Sequence, residues 1–228
     1  MSAPTLLAVS HGTADAAGAG AIAELVARVA AALPGVAVVE AFVDVQQPDA
    51  AELAPTIDGP LVIVPLLLSS GFHVHHDLHG IARSRPQTVV ADPMGPDPRL
   101  AEVLAARLAE LPEADAHSPV ILAVAGSRDP RSLTDAEGMA SLLRAHTGRE
   151  IALAYLAARQ PDLPTALAQH PDAAIATFLL ARGYFADLAA RQAVGRALSA
   201  PLLDGGPVPD ALVDLIVARY RDAATALA

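Results

Sequence analysis

Short apolar runs alternate with longer amphipathic segments along the whole chain. The runs are rich in Val, Ile and Leu and lack an internal polar alternation, which is typical of parallel strands buried on both faces. We predict strands over residues 5–10, 36–43, 61–68, 88–91, 120–124, 150–156, 173–180 and 201–203. Helices are predicted between them, over residues 22–33, 49–55, 77–84, 98–111, 134–146, 163–169, 186–198 and 210–227. This order predicts an α/β protein with two doubly wound parallel sheets of about four strands each.

The two predicted sheets correspond to an internal repeat. Three segments recur in the same order about 113 residues later in the chain: residues 7–13 at 121–127, residues 41–49 at 154–162, and residues 67–73 at 179–185. We therefore predict a tandem duplication with one domain over residues 1–115 and a second over residues 116–228. Residues 113–119 are the predicted linker.

The two copies differ at three polar positions of the first copy. Gly12 and Gly71 keep their glycine counterparts, Gly126 and Gly183, as expected for backbone turns rather than for substrate contact alone. Three polar residues are instead replaced by apolar ones: His11 by Ala125, Asp44 by Ala157 and His73 by Phe185. This difference predicts an active first half and a second half that keeps only the scaffold.

His11, Asp44 and His73 each follow a different predicted strand of the first half. The carboxyl ends of parallel strands share one edge of the sheet, where ligands bind in open α/β folds. Two imidazoles and a carboxylate are suitable ligands for a divalent first-row metal. Two of these residues also have a structural interpretation, since His11 could cap a turn and Asp44 could cap the following helix or pair with an arginine.

Three more histidines, His75, His76 and His79, follow His73 closely. They could be further metal ligands, and residues 75 and 79 would share a helix face. Solvated loop histidines are the equally good alternative, so their role is left open.

Composition excludes several classes of partner and site. The chain has 228 residues and a net charge of −10, which argues against a general nucleic-acid or anionic-membrane partner. The absence of cysteine excludes disulfides, thiolate zinc sites and protein-ligated iron–sulfur clusters. No signal sequence or membrane-spanning run is apparent, so we expect a cytoplasmic protein. We also expect a monomer.

The motifs around these residues resemble the sirohydrochlorin chelatases, class II tetrapyrrole chelatases that make sirohaem and the cobalt precursors of cobalamin. The resemblance lies in three segments: Ser-His-Gly-Thr at 10–13, Ala-Phe-Val-Asp through Pro at 41–48, and Pro-Leu-Leu-Leu-Ser-Ser-Gly-Phe-His-Val-His-His-Asp at 65–77. It covers the whole chain, because long members of the family are fused duplications with a chelatase-like, flavodoxin- or Rossmann-like fold.

The resemblance implies insertion of a divalent metal into sirohydrochlorin, held between the two halves. The metal, Fe²⁺ in preference, is a substrate, and no cofactor is permanently bound. The family's two histidines correspond to His11 and His73, as metal ligands and bases. Its acidic position corresponds to Asp44, although the family usually has glutamate there.

Local hydrogen-bond donors are needed because the macrocycle carries many carboxylates and the protein is acidic. The expected substrate-binding groups lie in four loops: Ser10, Gly12 and Thr13; Ser69, Ser70 and Gly71; Arg128; and Arg182. The two arginines belong to the second copy.

The sequence leaves several functions open. Cobalt or nickel could replace iron, because affinity order alone does not select the biological metal. A non-catalytic carrier of a tetrapyrrole or metal, or a metal-dependent hydrolase, is an alternative of another class.

Overall fold

The computed structural model describes residues 3–71, 73–111 and 118–227. Two parallel sheets confirm the predicted fold class. The first has the order β2-β1-β3-β4 and the second the order β6-β5-β7. The strands are β1 (Thr5–Ser10), β2 (Val38–Phe42), β3 (Leu61–Pro65), β4 (Thr88–Val90), β5 (Val120–Val124), β6 (Ile151–Tyr155) and β7 (Ala174–Phe178).

The central strands of both sheets, and the edge strand β7, are the most deeply buried. Every residue of β3, β5 and β7 is buried, as is β1 after its first residue. Burial on both faces explains why these segments are apolar throughout. Leu6 of β1 pairs with Val38 on one side and Val62 on the other, so the ends of β1, β2 and β3 lie along one edge.

Helices connect the strands and cover the sheets. They are α1 (Ala16–Ala32), α2 (Ala50–Leu53), α3 (His79–Ser84), α4 (Pro98–Ala109), α5 (Pro130–Thr147), α6 (Leu163–Gln169), α7 (Tyr184–Gln192) and α8 (Asp210–Ala224). The five helices α1, α2, α4, α5 and α6 each begin after an aspartate whose carboxylate accepts a backbone N–H. A wide π-helical turn, His73–Leu78, leads directly into α3.

The eighth predicted strand, residues 201–203, does not form, and the second sheet has three strands among the described residues. The segment does follow β7, and Ser199 donates its backbone N–H to Ile175. However, the N–H of Thr177 is bound by the Ser199 hydroxyl rather than by a carbonyl. Pro201 has no N–H to donate, and Leu202 and Leu203 donate to the carbonyls of Leu179 and Leu180, which lie beyond the end of β7. Among the described residues this part of the chain therefore makes one isolated β-bridge with β7, between Ile175 and Leu198, and no regular strand.

The last helix of each half packs on the other half. Helix α8 contacts α1, β3 and β4 of the first half, whereas α4 contacts α5 and β7 of the second. Arg107 of α4 donates to the carbonyl of Leu202 at 3.1 Å, and Tyr220 of α8 donates to the carbonyl of Pro4 at 2.6 Å. One large apolar core therefore includes residues from both halves.

The predicted boundary between residues 115 and 116, and most of the predicted linker, lie outside the described residues. None of the described helices is long and apolar enough to cross a membrane.

Candidate functional site

The loops after β1, β2 and β3 carry the three polar residues that distinguish the two copies. His11 follows the last residue of β1 directly, and Asp44 lies two residues beyond β2. His73 lies further from its strand, at the start of the π-helical turn. Because β1 is flanked by β2 and β3, the three loops meet at one edge of the first sheet.

The structure brings His11 and His73 together. Their ring centroids are 5.0 Å apart and the rings are perpendicular. Both side chains are accessible, with 47% of His11 and 34% of His73 exposed. Two accessible imidazoles in contact can bind one small ligand between them, such as a metal ion.

Asp44 lies near this pair without closing it into a three-ligand site. Its Oδ2 is 3.8 Å from Nε2 of His11, which is beyond hydrogen-bond distance. Within the described parts of the chain, no three His, Asp or Glu side chains are arranged to hold a metal ion. A water molecule or an ion between Asp44 and His11 could connect them.

Asp77 is a partner of His73 to which the sequence did not assign a role. Its Oδ2 lies 2.8 Å from Nδ1 of His73, and its Oδ1 lies 3.1 Å from Nδ1 of His76. A carboxylate at Nδ1 favours the tautomer of His73 with the proton on Nδ1 and the lone pair on Nε2. This contact fixes which nitrogen of His73 can act as a ligand or base.

His75 and His79 form a second pair of imidazoles. Their rings are stacked, with centroids 5.6 Å apart. Burial lowers the pKa of His79, and the neighbouring His75 lowers it further. The Nε2 atom of His75 is buried without a hydrogen-bond partner among the described residues.

The loops of the two halves face each other with reciprocal contacts. The loop after β1 touches the loop after β7, where the Thr13 hydroxyl donates to the carbonyl of Arg182 at 3.2 Å. The loop after β3 touches the N-terminal part of α5 in the second half, where Ser70 donates its N–H to the carboxylate of Asp135 at 2.5 Å. The carboxyl edges of both sheets therefore border one region.

The matching positions of the second copy are built into its own core. Ala125 and Phe185 pack against a second apolar cluster, which lies within the second half and includes Ile121, Leu163 and Ile175. Gly126 has φ +88°, nearly identical to the φ of +87° at Gly12, so the turn is preserved where the imidazole is lost. The second copy thus retains the backbone turn after β1 without the histidines of the first copy.

Gln46 holds the His11 loop in place. Its Oε1 accepts the N–H of Thr13 at 2.9 Å, and a Cβ at Gly12 would stand 3.0 Å from the N atom of Gln46. The corresponding residue of the second copy is Arg159, which donates instead to the carbonyl of Ser127. The repeated Gln-Pro-Asp segment that follows both residues is the sequence signal for this shared support.

The expected substrate-binding residues differ in accessibility. Ser10 is completely buried, so its hydroxyl is not accessible to a substrate in this conformation. Thr13 uses its N–H and hydroxyl for contacts between loops. Ser69, Ser70 and Gly71 are partly exposed, and a Cβ at Gly71 would only just touch Ser127.

Arg128 and Arg182 are both exposed. Among the described residues neither guanidinium group makes a hydrogen bond or an ion pair, whereas Arg131 is bound to Asp129 by two hydrogen bonds. Arg128 and Arg182 therefore remain available for an external anion.

A cavity of about 560 Å³ lies in the first half, beside α2 and α3. Asp77 and His76 line it, but His11 and His73 do not. It therefore reaches the carboxylate behind His73 rather than the imidazole pair itself.

Comparisons with known proteins agree with this architecture. Three solved structures resemble the chain over nearly its full length. The first is SirB from Bacillus subtilis with Fe³⁺, which has 20% sequence identity and a TM-score of 0.79 and covers 97% of this chain and 96% of that one. The second is SirB from Bacillus subtilis subspecies spizizenii in complex with cobalt, with 20% identity, a TM-score of 0.76 and coverage of 98% of this chain and 96% of that one. The third is CbiX, described as the terminal enzyme for biosynthesis of siroheme in denitrifying bacteria, with 19% identity, a TM-score of 0.71 and coverage of 94% of this chain and 98% of that one. At these identities the likeness shows the shared fold. No curated protein sequence gives a significant match.

The family comparison covers both halves of the chain. The model of the CbiX family matches residues 5–111 and 119–197, two segments that contain the two sheets and both sets of facing loops. The resemblance noted in the motifs is thereby confirmed, and this chain belongs to the CbiX family.

Proposed function

We propose that this protein is a sirohydrochlorin chelatase that inserts a divalent metal ion into the macrocycle. The observation that carries the proposal is the perpendicular pair formed by His11 and His73, with ring centroids 5.0 Å apart. This pair is found at the carboxyl edge of one sheet, where ligands bind in open α/β folds. Its counterpart in the second copy is Ala125 and Phe185.

The imidazole pair suits the two tasks of metallation. The incoming metal must exchange water for four ring nitrogens, and the two pyrrole N–H groups must each lose a proton. Neutral imidazoles can first bind the metal and then accept protons, which permanently charged lysine or arginine side chains could not do. An incomplete ligand set also favours release, because a metal held by three or four protein ligands would be transferred slowly.

Asp44 acts in this proposal through a water molecule. The distance of 3.8 Å between its Oδ2 and Nε2 of His11 is too long for a hydrogen bond. A bridging water would let the carboxylate accept a proton from His11 or help to attract the metal. The aspartate, one methylene shorter than the glutamate usual in this family, fits that indirect role.

The second half holds the substrate carboxylates. Arg128 and Arg182 lie in the two loops that face the histidine loops, and their guanidinium groups are exposed. Guanidinium groups bind carboxylates through two parallel hydrogen bonds. Ser69, Ser70 and the backbone of Gly71 are further donors on the opposite side.

Iron(II) is the proposed metal, and cobalt(II) is the alternative. The similar structures were solved with Fe³⁺ and with cobalt, and a third is described as an enzyme of siroheme biosynthesis. Nickel(II) also suits two imidazoles and a carboxylate. The metal is a substrate in each case, and we propose a monomer that needs no resident cofactor, nucleic acid or membrane.

The test is the initial rate of metallation of sirohydrochlorin, followed by absorbance under anaerobic conditions. Fe²⁺, Co²⁺ and Ni²⁺ are compared at equal free concentrations, each with and without the protein. We expect acceleration over the uncatalysed reaction, largest with Fe²⁺. Tight binding of the macrocycle without acceleration would indicate a carrier, and indifference to the macrocycle would favour a hydrolase.

A further inference from the structure

Tyr184 exposes its aromatic ring, whereas the other described Phe and Tyr rings are buried or, in Phe185, partly buried. The Tyr184 residue is 70% exposed. Four other aromatic residues are at most 5% exposed: Phe42, Tyr155, Phe178 and Tyr220. A large ring left in water forgoes the free energy gained on burial, so an exposed ring beside a functional loop is a candidate contact for a ligand.

Tyr184 is adjacent to the His11 loop across the boundary between the halves. It follows Gly183, where a Cβ would stand 2.6 Å from the Thr13 hydroxyl. The same hydroxyl donates to the carbonyl of Arg182. The segment that carries Tyr184 is therefore packed against Thr13, two residues from His11.

Val45 borders the same loop on its other side. It is 50% exposed and lies between Asp44 and Gln46, whose side chain accepts the N–H of Thr13. Of the three large apolar residues described as exposed, Val45 and Tyr184 both flank the His11 loop, while Val194 lies beyond the far end of α7.

The neighbour of Tyr184 shows why this ring, and not the next one, is exposed. Phe185 is the counterpart of His73 and packs with the second apolar cluster. Its ring contacts the Tyr184 ring edge-on, with centroids 5.3 Å apart. Phe185 thereby supports Tyr184 from the protein side and leaves the other surface of Tyr184 in solvent.

We propose that Tyr184 is a stacking contact for the flat conjugated face of the tetrapyrrole, and that Val45 is a second apolar contact across the His11 loop. The inference rests on the proposed function. The macrocycle has carboxylates at its edge and an apolar face, so arginines alone would hold its edge without fixing its plane. An offset aromatic contact beside His11 fixes that plane relative to the imidazole pair.

The experiment measures binding of metal-free sirohydrochlorin to the full chain by absorbance titration. Tyr184→Ala is expected to weaken binding about tenfold and Val45→Ala about threefold, whereas Tyr184→Phe, which keeps the ring, stays within about twofold of the unaltered protein. Val194→Ala is the matched control, because it removes an apolar side chain that is even more exposed, at 81%, and lies near the other end of α7. The affinity of the Val194→Ala variant for sirohydrochlorin should not change.

Metallation rates with the same variants separate the two proposals. If the unaltered protein binds and metallates sirohydrochlorin but Tyr184→Ala binds it equally well, the stacking contact is wrong and the proposed function stands. If Tyr184→Phe loses as much affinity as Tyr184→Ala, the hydroxyl rather than the ring makes the contact, and the inference is overturned. If the unaltered protein neither binds nor metallates sirohydrochlorin, both proposals fail.

Discussion

His11 and His73 meet because the loops that carry them leave adjacent strands. Their selection as candidates needed no coordinates, since the second copy keeps the neighbouring glycines and has apolar residues in place of both histidines. The perpendicular ring contact could not be predicted, because it depends on how far the loop after β3 returns toward β1. The solvent accessibility of each predicted hydrogen-bond donor also could not be predicted from the sequence, as the complete burial of Ser10 illustrates.

Removal of either imidazole should abolish most of the metallation activity and leave the fold intact. We expect His11→Ala and His73→Ala each to lower the metallation rate at least about 100-fold, because each removes a proposed metal ligand and base. Both side chains are partly exposed, so melting temperatures should stay near that of the unaltered protein. Circular dichroism and initial rates check this, and loss of soluble protein in both variants would show that the histidines are structural.

Asp77 should act through His73. We expect Asp77→Ala to lower the metallation rate about 10–100-fold with little change in the KM for the macrocycle, because the imidazole loses the carboxylate that orients it. His76→Ala is the control, since it removes the other partner of Asp77 and should leave the rate near normal. A raised KM with an unchanged turnover number would contradict this role.

We assigned no role to Asp77 from the sequence, because we expected the helix to begin at that residue. A helix beginning at residue 77 would leave His73 in a loop, with no fixed relation to Asp77. The π-helical turn begins at His73 and brings its side chain to the carboxylate. Such turns have no simple apolar periodicity that would reveal them.

At the level of elements, strands were predictable wherever burial on both faces demanded continuous apolar residues. β1 and β5 have the predicted bounds, and the other strands differ by a few residues at their ends. Helix α1 begins at Ala16, six residues before the predicted start, because Asp15 caps a first turn of Ala and Gly that has no apolar period. The absence of a regular strand at residues 201–203 was not predictable from apolar patterning, which does not reveal that the Ser199 hydroxyl accepts the N–H of Thr177.

The cap of α4 should make stability depend on pH. Burial alone would raise the pKa of Asp97, but hydrogen bonds from Arg99 and the charge of Arg219 outweigh it and hold the pKa below its ordinary value of 3.8. A carboxylate with a depressed pKa in the folded state stabilises the fold above the pKa of the unfolded chain. This contribution is therefore lost as the pH falls below about 4 through the folded-state pKa.

We expect Asp97→Ala to cost about 1–3 kcal/mol of unfolding free energy at pH 7, measured by urea denaturation. The difference from the unaltered protein should shrink as the pH falls below 4. Asp162→Ala is the matched control, because that half-buried cap accepts the N–H of Thr165 within its own helix and has no arginine partner among the described residues. An equal loss of stability in both variants would mean that the contacts of Asp97 with Arg99 and Arg219 contribute nothing.

At the scale of the whole molecule, the two copies are joined because α4 of the first half packs on the second half and α8 of the second half packs on the first. Both helices were predicted, but the sheet that each covers was not, because an amphipathic pattern shows that one face is buried without identifying the partner surface. Leu212, Leu215 and Ile216 of α8 are fully buried in the shared core. The duplication is thus visible in the sequence, whereas the interlocking of its halves is not.

Because α8 packs on the first half, we expect that the first half does not fold alone. A fragment of residues 1–115 lacks α8 and would expose apolar surface on β3, β4 and α1. We expect it to aggregate or to melt without cooperativity, and co-expression with residues 116–228 should restore a cooperative transition. Size-exclusion chromatography and thermal circular dichroism report the outcome. A fragment that is monomeric and melts like the full chain would show that the packing of α8 on the first half contributes little to stability.

The central claim is that only the first half of the duplication carries the metal chemistry. Titration of the full chain with cobalt(II), followed by the d–d absorption spectrum, tests it most directly. The account predicts a single site per chain that is lost in both His11→Ala and His73→Ala. Two equivalent sites per chain, or one site that survives both substitutions, would contradict it.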